Sequence, residues 1–265
     1  MLRMTFVTVL IIAVTQTVIA EDAAEVDLQP LIDASSDDYQ IFAESDHRTA
    51  LPHMTVLRWA NNARGSANGA TLIWIHKGRP EVVCCIYPWA GRLEHGFGSL
   101  SRGKVRATKL GQAVWQPAEP GVTFKEIPGA PAVAKLPNLR KRQMAQLARQ
   151  FTGTMTGWKH DDSDREELRL LTTPLYRYES ENSQIVDGAL YAFVQGTDPE
   201  ILLLLEAWSP DSQPAKWHYA FVRRTSGGLE AHYKKNLVWE AEKSPENHGP
   251  NSVCISFTGV SIPEE

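Results

Sequence analysis

The sequence predicts an α+β fold that is mainly antiparallel β, with two pseudo-repeated four-strand units forming a sandwich or one curved sheet and a connecting helix. Three observations support this class. Short β-rich segments are separated by glycine and proline turns, one amphipathic helix lies near the middle of the chain, and a set of motifs recurs in the same order in both halves. With 43% apolar residues and eight tryptophans, the chain can form a full core.

The first 20 residues have the pattern of a secretory signal peptide. Arg3 gives a short positive start, Phe6–Ala13 is almost entirely apolar, and the small residues Val18 and Ala20 precede the expected cleavage site. The apolar segment is short for a membrane span of about 20 residues, although an uncleaved anchor is the alternative. We therefore expect cleavage after Ala20, a periplasmic or extracellular mature protein, and no membrane span in that mature chain.

The next segment, residues 21–47, is rich in acidic side chains and contains no lysine or arginine. This composition predicts a solvated acidic extension, with a single β-rich domain over residues 48–265. Tyr39, Ile41 and Phe42 are the side chains through which the extension could dock on the domain. The net charge of −4 gives no general attraction for nucleic acid, which is therefore not an expected partner.

A β-hairpin and a helix are the clearest local elements. Thr71–His76 alternates, Lys77–Pro80 is a turn, and Val82–Tyr87 is apolar on both faces, so the second strand is expected to be covered on both sides. After a proline-rich connection, apolar spacing predicts a helical connector over about 138–152. Four basic residues are expected on the solvated face of this helix, a functional basic patch being the alternative: Arg140, Lys141, Arg142 and Arg149.

The most informative pattern is an internal repeat. In each half a Pro-Glu pair follows a turn, a tryptophan comes after seven mainly apolar residues, and the unit ends on Val-Trp. We interpret residues 70–116 and 188–241 as two copies of one four-strand unit that bury their apolar faces together, chance recurrence being the alternative. The glutamates after the turn prolines are expected to accept backbone N–H bonds. The recurring residues are Glu81 and Glu200, Trp89 and Trp208, and Trp115 and Trp239.

Several segments, taken together, are similar to a known family. They are residues 78–81, 86–89, 99–101, 174–178 and 187–200, and the last, Asp-Gly-Ala-Leu-Tyr-Ala-Phe-Val-Gln-Gly-Thr-Asp-Pro-Glu, is the most specific. They resemble a family of exported bacterial proteins typical of planctomycetes, over most of residues 48–241. That family has no assigned activity, so the resemblance implies export and one shared fold and gives no catalytic residue.

No strong catalytic motif is present, and the sequence predicts neither a metal site nor a cofactor. The weak acid/base candidates are His95, its neighbour Glu94, and His218. Adjacent residues of a strand face opposite ways, so Glu94 and His95 do not easily act on one face, and a partner such as His218 or Asp187 is needed. The acidic run at 161–167 has oxygen ligands for Ca²⁺ but lacks the spacing of an EF-hand, which favours a solvated turn.

Aromatic residues are the candidates for binding: Tyr176, Tyr178, Trp89 and Trp208. The two tyrosines alternate and so share one face of a strand, which suits an exposed recognition strip or a half-buried strand. Tryptophans that recur at equivalent places usually fill a core, whereas an exposed subset would form a ligand platform.

The three cysteines allow one disulfide in an oxidising compartment. Cys84 and Cys85 point to opposite faces of a strand, so Cys254 is able to pair with only one of them. The alternative is that all three are small buried hydrophobic side chains.

These observations favour an exported non-catalytic module that binds an unknown ligand or protein partner, or serves a structural role. The alternative is a hydrolase-like enzyme with an acid/base site between the two repeat units. The enzyme requires a histidine within hydrogen-bond reach of a carboxylate in a cleft. The binding module requires an exposed apolar or aromatic patch.

Overall fold

The computed structural model describes residues 27–61, 64, 66–157, 164–180, 184–210, 213–244 and 249–263. The expected signal peptide, residues 1–20, lies outside them, as do Asp161 and Asp162 of the acidic run. Within the described residues the chain has two helices, 17 strands and only antiparallel strand pairs, which confirms the predicted mainly antiparallel class. No helix in this part of the chain is long and apolar enough to cross a membrane. The helices are α1 (Gln29–Asp37) and α2 (Pro137–Ala148).

The strands fall into two series along the chain. The first series is β1 (Tyr39–Ala43), β2 (His53–Asn61), β3 (Ser66–His76), β4 (Arg79–Trp89), β5 (Arg92–Ser99), β6 (Val105–Lys109), β7 (Gln112–Trp115) and β8 (Lys125–Glu126). The second series is β9 (Phe151–Thr156), β10 (Arg165–Leu170), β11 (Tyr176–Tyr178), β12 (Ile185–Gln195), β13 (Asp198–Trp208), β14 (Lys216–Arg223), β15 (Gly228–Tyr233), β16 (Asn236–Ala241) and β17 (Cys254–Ser261).

Both halves pair their strands in the same order. In the first half β1–β6–β7 form one sheet and β2–β3–β4–β5 lie in another. In the second half the series β9–β15–β16 and β10–β12–β13–β14 are joined by pairing of β9 with β10 into one large sheet, with β11 beside β12. In each half a helix precedes the first of these strands. The units 70–116 and 188–241 were predicted to have four strands, but each contains five, β3–β7 and β12–β16. The strand orders of the two units match, and the matching order extends upstream to α1 and α2.

The long hairpins both close on two-residue turns with positive φ, and the second strand of each lies inside its sheet. Lys77 and Gly78 between β3 and β4 have φ values of 48° and 85°, and Gly196 between β12 and β13 has a φ of 60°. Positive φ in a two-residue turn matches the right-handed twist of the strands that it joins. The apolar strands β4 and β13 each lie between two neighbours, as expected for strands that cannot expose an edge safely.

Three apolar clusters separate the layers of the fold. One lies between the halves and joins Ile73 and Val83 of the first to the inward faces of β12, β13 and β14. A second fills the space between α1 and the first-half sheets, and a third lies between α2 and the second-half sheet. Successive side chains of β4 belong to different clusters. Val83 faces the other half, while Val82 and Cys84 face the α1 side. The predicted covering of β4 on both faces is confirmed.

The described part of the acidic segment 21–47 belongs to the fold, which corrects the expected boundary near residue 48. Ile32 of α1 and Ile41 of β1 are fully buried, and β1 pairs with β6 along its whole length. In α1 the exposed Asp37 and the buried Ile32 lie on one helix, so the charged surface and the buried face are parts of the same segment. Phe42, on the outer face of β1, is only half-buried.

Glycine lies beneath an aromatic ring at the same place in both halves. Trp59 pairs with Gly69 and Tyr178 pairs with Gly188, and a Cβ atom at either glycine would come within 2.5 Å of the ring opposite. The rings lie flat over the glycines, so no larger residue fits there without displacing the aromatic side chain.

We expect Gly188→Ala to destabilise the protein by about 1–3 kcal/mol, because the new methyl group overlaps the Tyr178 ring. Gly249→Ala is the matched control, since a Cβ atom there meets nothing within 4 Å, and its effect should stay within about 0.5 kcal/mol. Denaturant unfolding measures both. Equal stability of the two variants would contradict the packing described here.

Candidate functional site

His95 lies in the core of the first half. Its side chain is fully buried, and the Tyr39 hydroxyl oxygen is 2.7 Å from its Nδ1 atom. Burial, with a smaller contribution from Lys109, lowers the pKa of His95 to about 4, so the imidazole is neutral at neutral pH. Glu94 is half-buried on the opposite face of β5. Strand β5 therefore holds the two acid/base candidates apart.

His218 is half-buried on β14, and its position does not correspond to that of His95. His218 lies opposite Glu206 of β13, whereas His95 lies opposite Ile86 of β4. Its Nδ1 atom is 3.1 Å from the carbonyl oxygen of Lys216, and its ring packs edge-on against Trp208 with centroids 5.3 Å apart. In the described part of the chain, neither candidate histidine hydrogen-bonds to a carboxylate.

The disulfide from Cys254 that the sequence allows is not formed, which leaves the alternative of three free thiols. All three cysteines are free thiols, and β5 lies between β4, which carries Cys84 and Cys85, and β17, which carries Cys254. Two strand spacings of about 4.8 Å put the Cα atoms beyond the limit of about 7 Å for a disulfide. Arg224 occupies the intervening space, with its guanidinium against Gly98 of β5.

The side chains that join the halves at one end of their interface form a group that we call the Glu206 cluster. The Glu206 carboxylate accepts bonds from Arg79 Nε at 2.9 Å, Arg102 Nη2 at 2.5 Å and the Tyr178 hydroxyl at 2.8 Å. Arg79 Nη1 also donates to Glu81 Oε1 at 3.1 Å. Burial alone would raise the pKa of Glu206, but the two guanidinium groups outweigh it and lower that pKa. Glu206 is therefore ionised and fully bonded.

The opposite end of the interface holds a second group, the Glu200 cluster, around the β12–β13 turn. Arg64 lies between two carboxylates, with Nη2 2.6 Å from Glu200 Oε1 and Nη1 3.7 Å from Asp198 Oδ2. Asn61 Nδ2 donates to Asp198 Oδ2 at 3.2 Å. Glu81 and Glu200 were expected to accept backbone N–H bonds after their turns. Both instead pair with arginine side chains, which corrects that expectation.

The third buried ion pair fastens α2 to the second-half sheet. Asp187 Oδ2 accepts bonds from Arg140 Nε at 2.7 Å and Arg177 Nη2 at 2.5 Å, and Asp187 is fully buried. Arg140 is itself buried, so its expected place on the solvated helix face is wrong. Asp187, considered above as a partner for His95, is consequently not available for acid/base chemistry.

The four aromatic candidates have different environments. Tyr176 and Tyr178 stack with ring centroids 5.9 Å apart, as their alternation predicts, but Tyr178 is buried on Glu206 and Tyr176 donates its hydroxyl to the carbonyl of Gly78. Trp208 is half-buried beside Arg102, whose guanidinium is 5.7 Å from its ring centroid. Trp89 is 52% exposed. Only Trp89 among these four offers an open aromatic face.

Trp89 ends a row of aromatic side chains that we call the aromatic strip. Tyr87 and Trp89 are two residues apart on one face of β4, and the Trp59 and Tyr87 ring centroids are 5.8 Å apart. Exposure increases along the strip, from buried Trp59 through half-buried Tyr87 to Trp89. Glu94 lies opposite Tyr87 and Arg92 lies opposite Trp89.

The groups that define these sites were mostly absent from the sequence interpretation. Arg64, Arg79, Arg102 and Asp198 act through contacts between halves, which local spacing does not reveal. One signal was present: a charged residue precedes each recurring Pro-Glu pair, Arg79 in the first half and Asp198 in the second. Within the described residues, no group of three or more His, Cys, Asp or Glu side chains is placed to hold a metal ion.

No family model, no curated protein and no solved structure matches the chain. Proposals about its function therefore depend on the contacts described above.

We expect Glu206→Gln to destabilise the protein by about 3 kcal/mol or more, because it removes a buried carboxylate that binds both Arg79 and Arg102 and leaves Arg79 with one carboxylate, Glu81, in place of two. Glu126→Gln is the matched control. Glu126 pairs with Lys216 at 2.9 Å on the surface, where such a pair contributes under about 1 kcal/mol. Denaturant unfolding of both variants measures the difference, and a loss of equal size would argue against a structural role for the Glu206 cluster.

Proposed function

We propose that the protein is an exported, non-catalytic binding module whose binding surface is the aromatic strip ending at Trp89. The observation that carries the proposal is the exposure of Trp89. A large aromatic side chain that is 52% exposed at the end of a strand is a typical anchor for a partner, because its burial on binding removes much apolar surface from water.

The proposal includes an internal duplication. Its support is the shared strand order of the halves together with matching registers: Trp115 lies opposite Ala107 and Trp239 lies opposite Ala231, each next to a register shift. Equivalent positions follow from the paired turns, and they relate Trp89 to Trp208, Tyr87 to Glu206, and Trp59 to Tyr178. The family resemblance to exported planctomycete-type proteins remains part of this proposal.

The environment of Trp208 in the second half suggests what binds at Trp89 in the first half. Trp208 of the second half is covered by the guanidinium of Arg102, from the loop after β5 in the first half, which also lies 3.8 Å from the Phe124 ring centroid. A guanidinium over an aromatic face is a favourable cation–π contact. Because Trp89 occupies the equivalent position without that cover, we propose that it takes an arginine side chain from a basic segment of a partner protein.

The charges near the strip are compatible with a basic partner. Glu94 is opposite Tyr87. The pKa of the Tyr87 hydroxyl is raised, chiefly by burial and to a lesser extent by the nearby Cys85, Glu94 and Asp198. Arg92, opposite Trp89, donates to the carbonyl oxygen of Gly259 at 3.2 Å and so has a partner of its own. The net charge of −4 also favours a cationic partner over an anionic one.

The hydrolase-like alternative receives less support from these contacts. His95 is neutral and enclosed, and the Glu206 carboxylate opposite His218 is occupied by two arginines and Tyr178. The acid/base arrangement that would favour an enzyme over a binding module is not formed by these residues.

We expect a short arginine-containing peptide to bind the full mature protein and Trp89→Ala to weaken that binding by about tenfold. Isothermal titration calorimetry measures the affinity. The same peptide with citrulline in place of arginine tests the charge, and Leu110→Ala, which removes another exposed apolar side chain at a turn, is the control variant. Equal affinity for both peptides, or no effect of Trp89→Ala, would refute the proposed site.

Export predicts that the mature chain begins at Glu21. N-terminal sequencing of protein recovered from outside the cytoplasm measures this directly. An intact Met1 in that material would point to an uncleaved anchor instead.

A further inference from the structure

The Glu200 cluster differs in its balance of charges from the Glu206 cluster at the other end of the interface. Asp198 and Glu200 are two residues apart on one face of β13, and both contact the single guanidinium of Arg64. Their side chains are 11% and 1% exposed, and that of Arg64 is 13% exposed. Two carboxylates in a buried site thus share one directly bound cation.

The Glu206 cluster shows the balanced arrangement. There, two carboxylates, Glu81 and Glu206, are bonded to two guanidinium groups, those of Arg79 and Arg102. By hairpin register, Asp198 occupies the position of Arg79 in the other half. The duplicated site therefore has an acid where its counterpart has a base, and the charge balance between the two ends differs.

Other ionisable groups face the pair from each neighbouring element. Arg224, after β14, donates to the carbonyl oxygen of Gly96 and lies between Cys85 and Cys254. It acts on Asp198 from a distance and forms no ion pair with either acid. From β10, Glu166 accepts a 2.6 Å bond from Gln195 Nε2 at the same turn, and Arg169 donates to the Gly196 carbonyl oxygen at 2.7 Å. From β4, Tyr87 and Cys85 interact electrostatically with Asp198.

The cluster also lies where the halves are fastened together. Asn61 Nδ2 at the end of β2 donates to both Gln195 and Asp198 at 3.2 Å. Thr197 Oγ1 in the turn accepts from the Ala60 N–H at 2.9 Å and donates to the Ala60 carbonyl oxygen at the same distance. A change of charge at Asp198 or Glu200 consequently acts on the contact between halves.

We propose that the Asp198–Glu200 pair binds a proton when the halves come together. Loss of this proton in alkaline solution loosens this end of the interface, while the Glu206 end stays closed. The proton supplies the charge that Arg64 alone does not balance. This inference concerns the junction of the halves and is independent of what binds at Trp89.

The ionisation of the pair agrees in sign with this proposal. Burial chiefly raises the pKa of Glu200, to about 8, and Asp198 adds to the effect while Arg64 opposes it. Burial likewise raises the pKa of Asp198 to about 6, against the opposing effects of Arg64, Asn61 and Arg224. A carboxyl whose pKa is higher in the folded state keeps its proton while the unfolded chain has lost it. The folded state is therefore favoured less as the pH rises toward about 8.

The test compares wild-type protein with Glu200→Gln, which keeps the side-chain shape and cannot ionise. Between about pH 6 and about pH 8, the wild-type unfolding constant should rise by up to about tenfold per pH unit for one proton, and the variant should show a flatter dependence. Glu126→Gln, on the surface, should follow the wild type. Hydrogen exchange of the 195–200 amides should accelerate with alkaline pH beyond its intrinsic rate in the wild type only.

A second measurement does not depend on the stability of the variant. Infrared difference spectra of the wild type between about pH 6 and about pH 9 should show the loss of a protonated carboxyl band, which Glu200→Gln removes. Identical pH dependence of unfolding in the wild type and Glu200→Gln, or no protonated carboxyl band in the wild type at neutral pH, would overturn the proposal.

Discussion

Burial of two sheet faces against each other is the constraint on which the rest of this structure depends. Val83 and Leu202 belong to apolar strands at the centre of each sheet, and both lie in the cluster between the halves. The opposite faces of the same strands are apolar as well, so each sheet also needs a layer over its outer side. In the first half this layer is α1 together with the β1–β6–β7 sheet, and in the second half it is α2 together with the β9–β15–β16 part of the large sheet.

The same constraint decides where charged groups lie. The centre of the interface is apolar, and the Glu206 and Glu200 clusters, in which charged side chains of the two halves meet, lie near the ends of the long hairpins. Removal from water makes an unpaired charge there costly, and each carboxylate is therefore bonded to arginine. The two ends satisfy this differently, since Glu206 has several donors while Asp198 and Glu200 share Arg64.

The sequence predicted the elements whose signals are local. The alternation before Lys77, the turn glycine Gly78 and the apolar strand after it specify a hairpin, and the spacing of Met144 and Leu147 specifies the helix. The contribution of β1 was missed because its acidic surroundings hide a short alternation in which Tyr39, Ile41 and Ala43 point inward.

The candidate site was predicted less well, for reasons of geometry. The repeat predicted Trp89 and Trp208 equally as binding residues. Tertiary contacts, which the repeat does not reveal, decide which of the two is covered. The histidines appeared equivalent by order along the chain, yet a one-residue difference in register turns a side chain to the other face of its strand. The arginines that bind Glu206 come from β4 and from the loop after β5, on the other side of the interface, and no local pattern relates them.

Strand β17 has a consequence for how the chain reaches this structure. It pairs with β5 of the first half, while Trp115 Nε1 donates to the carbonyl oxygen of Ser252 at 2.7 Å just before it. The first-half sheet is therefore assembled from residues on both sides of the second half in the chain. A nascent polypeptide would be able to form the second-half sheet before the first-half sheet has all its strands. Such long-range pairing imposes a high contact order and slows folding, so an exposed β5 edge would persist until the last segment is synthesised.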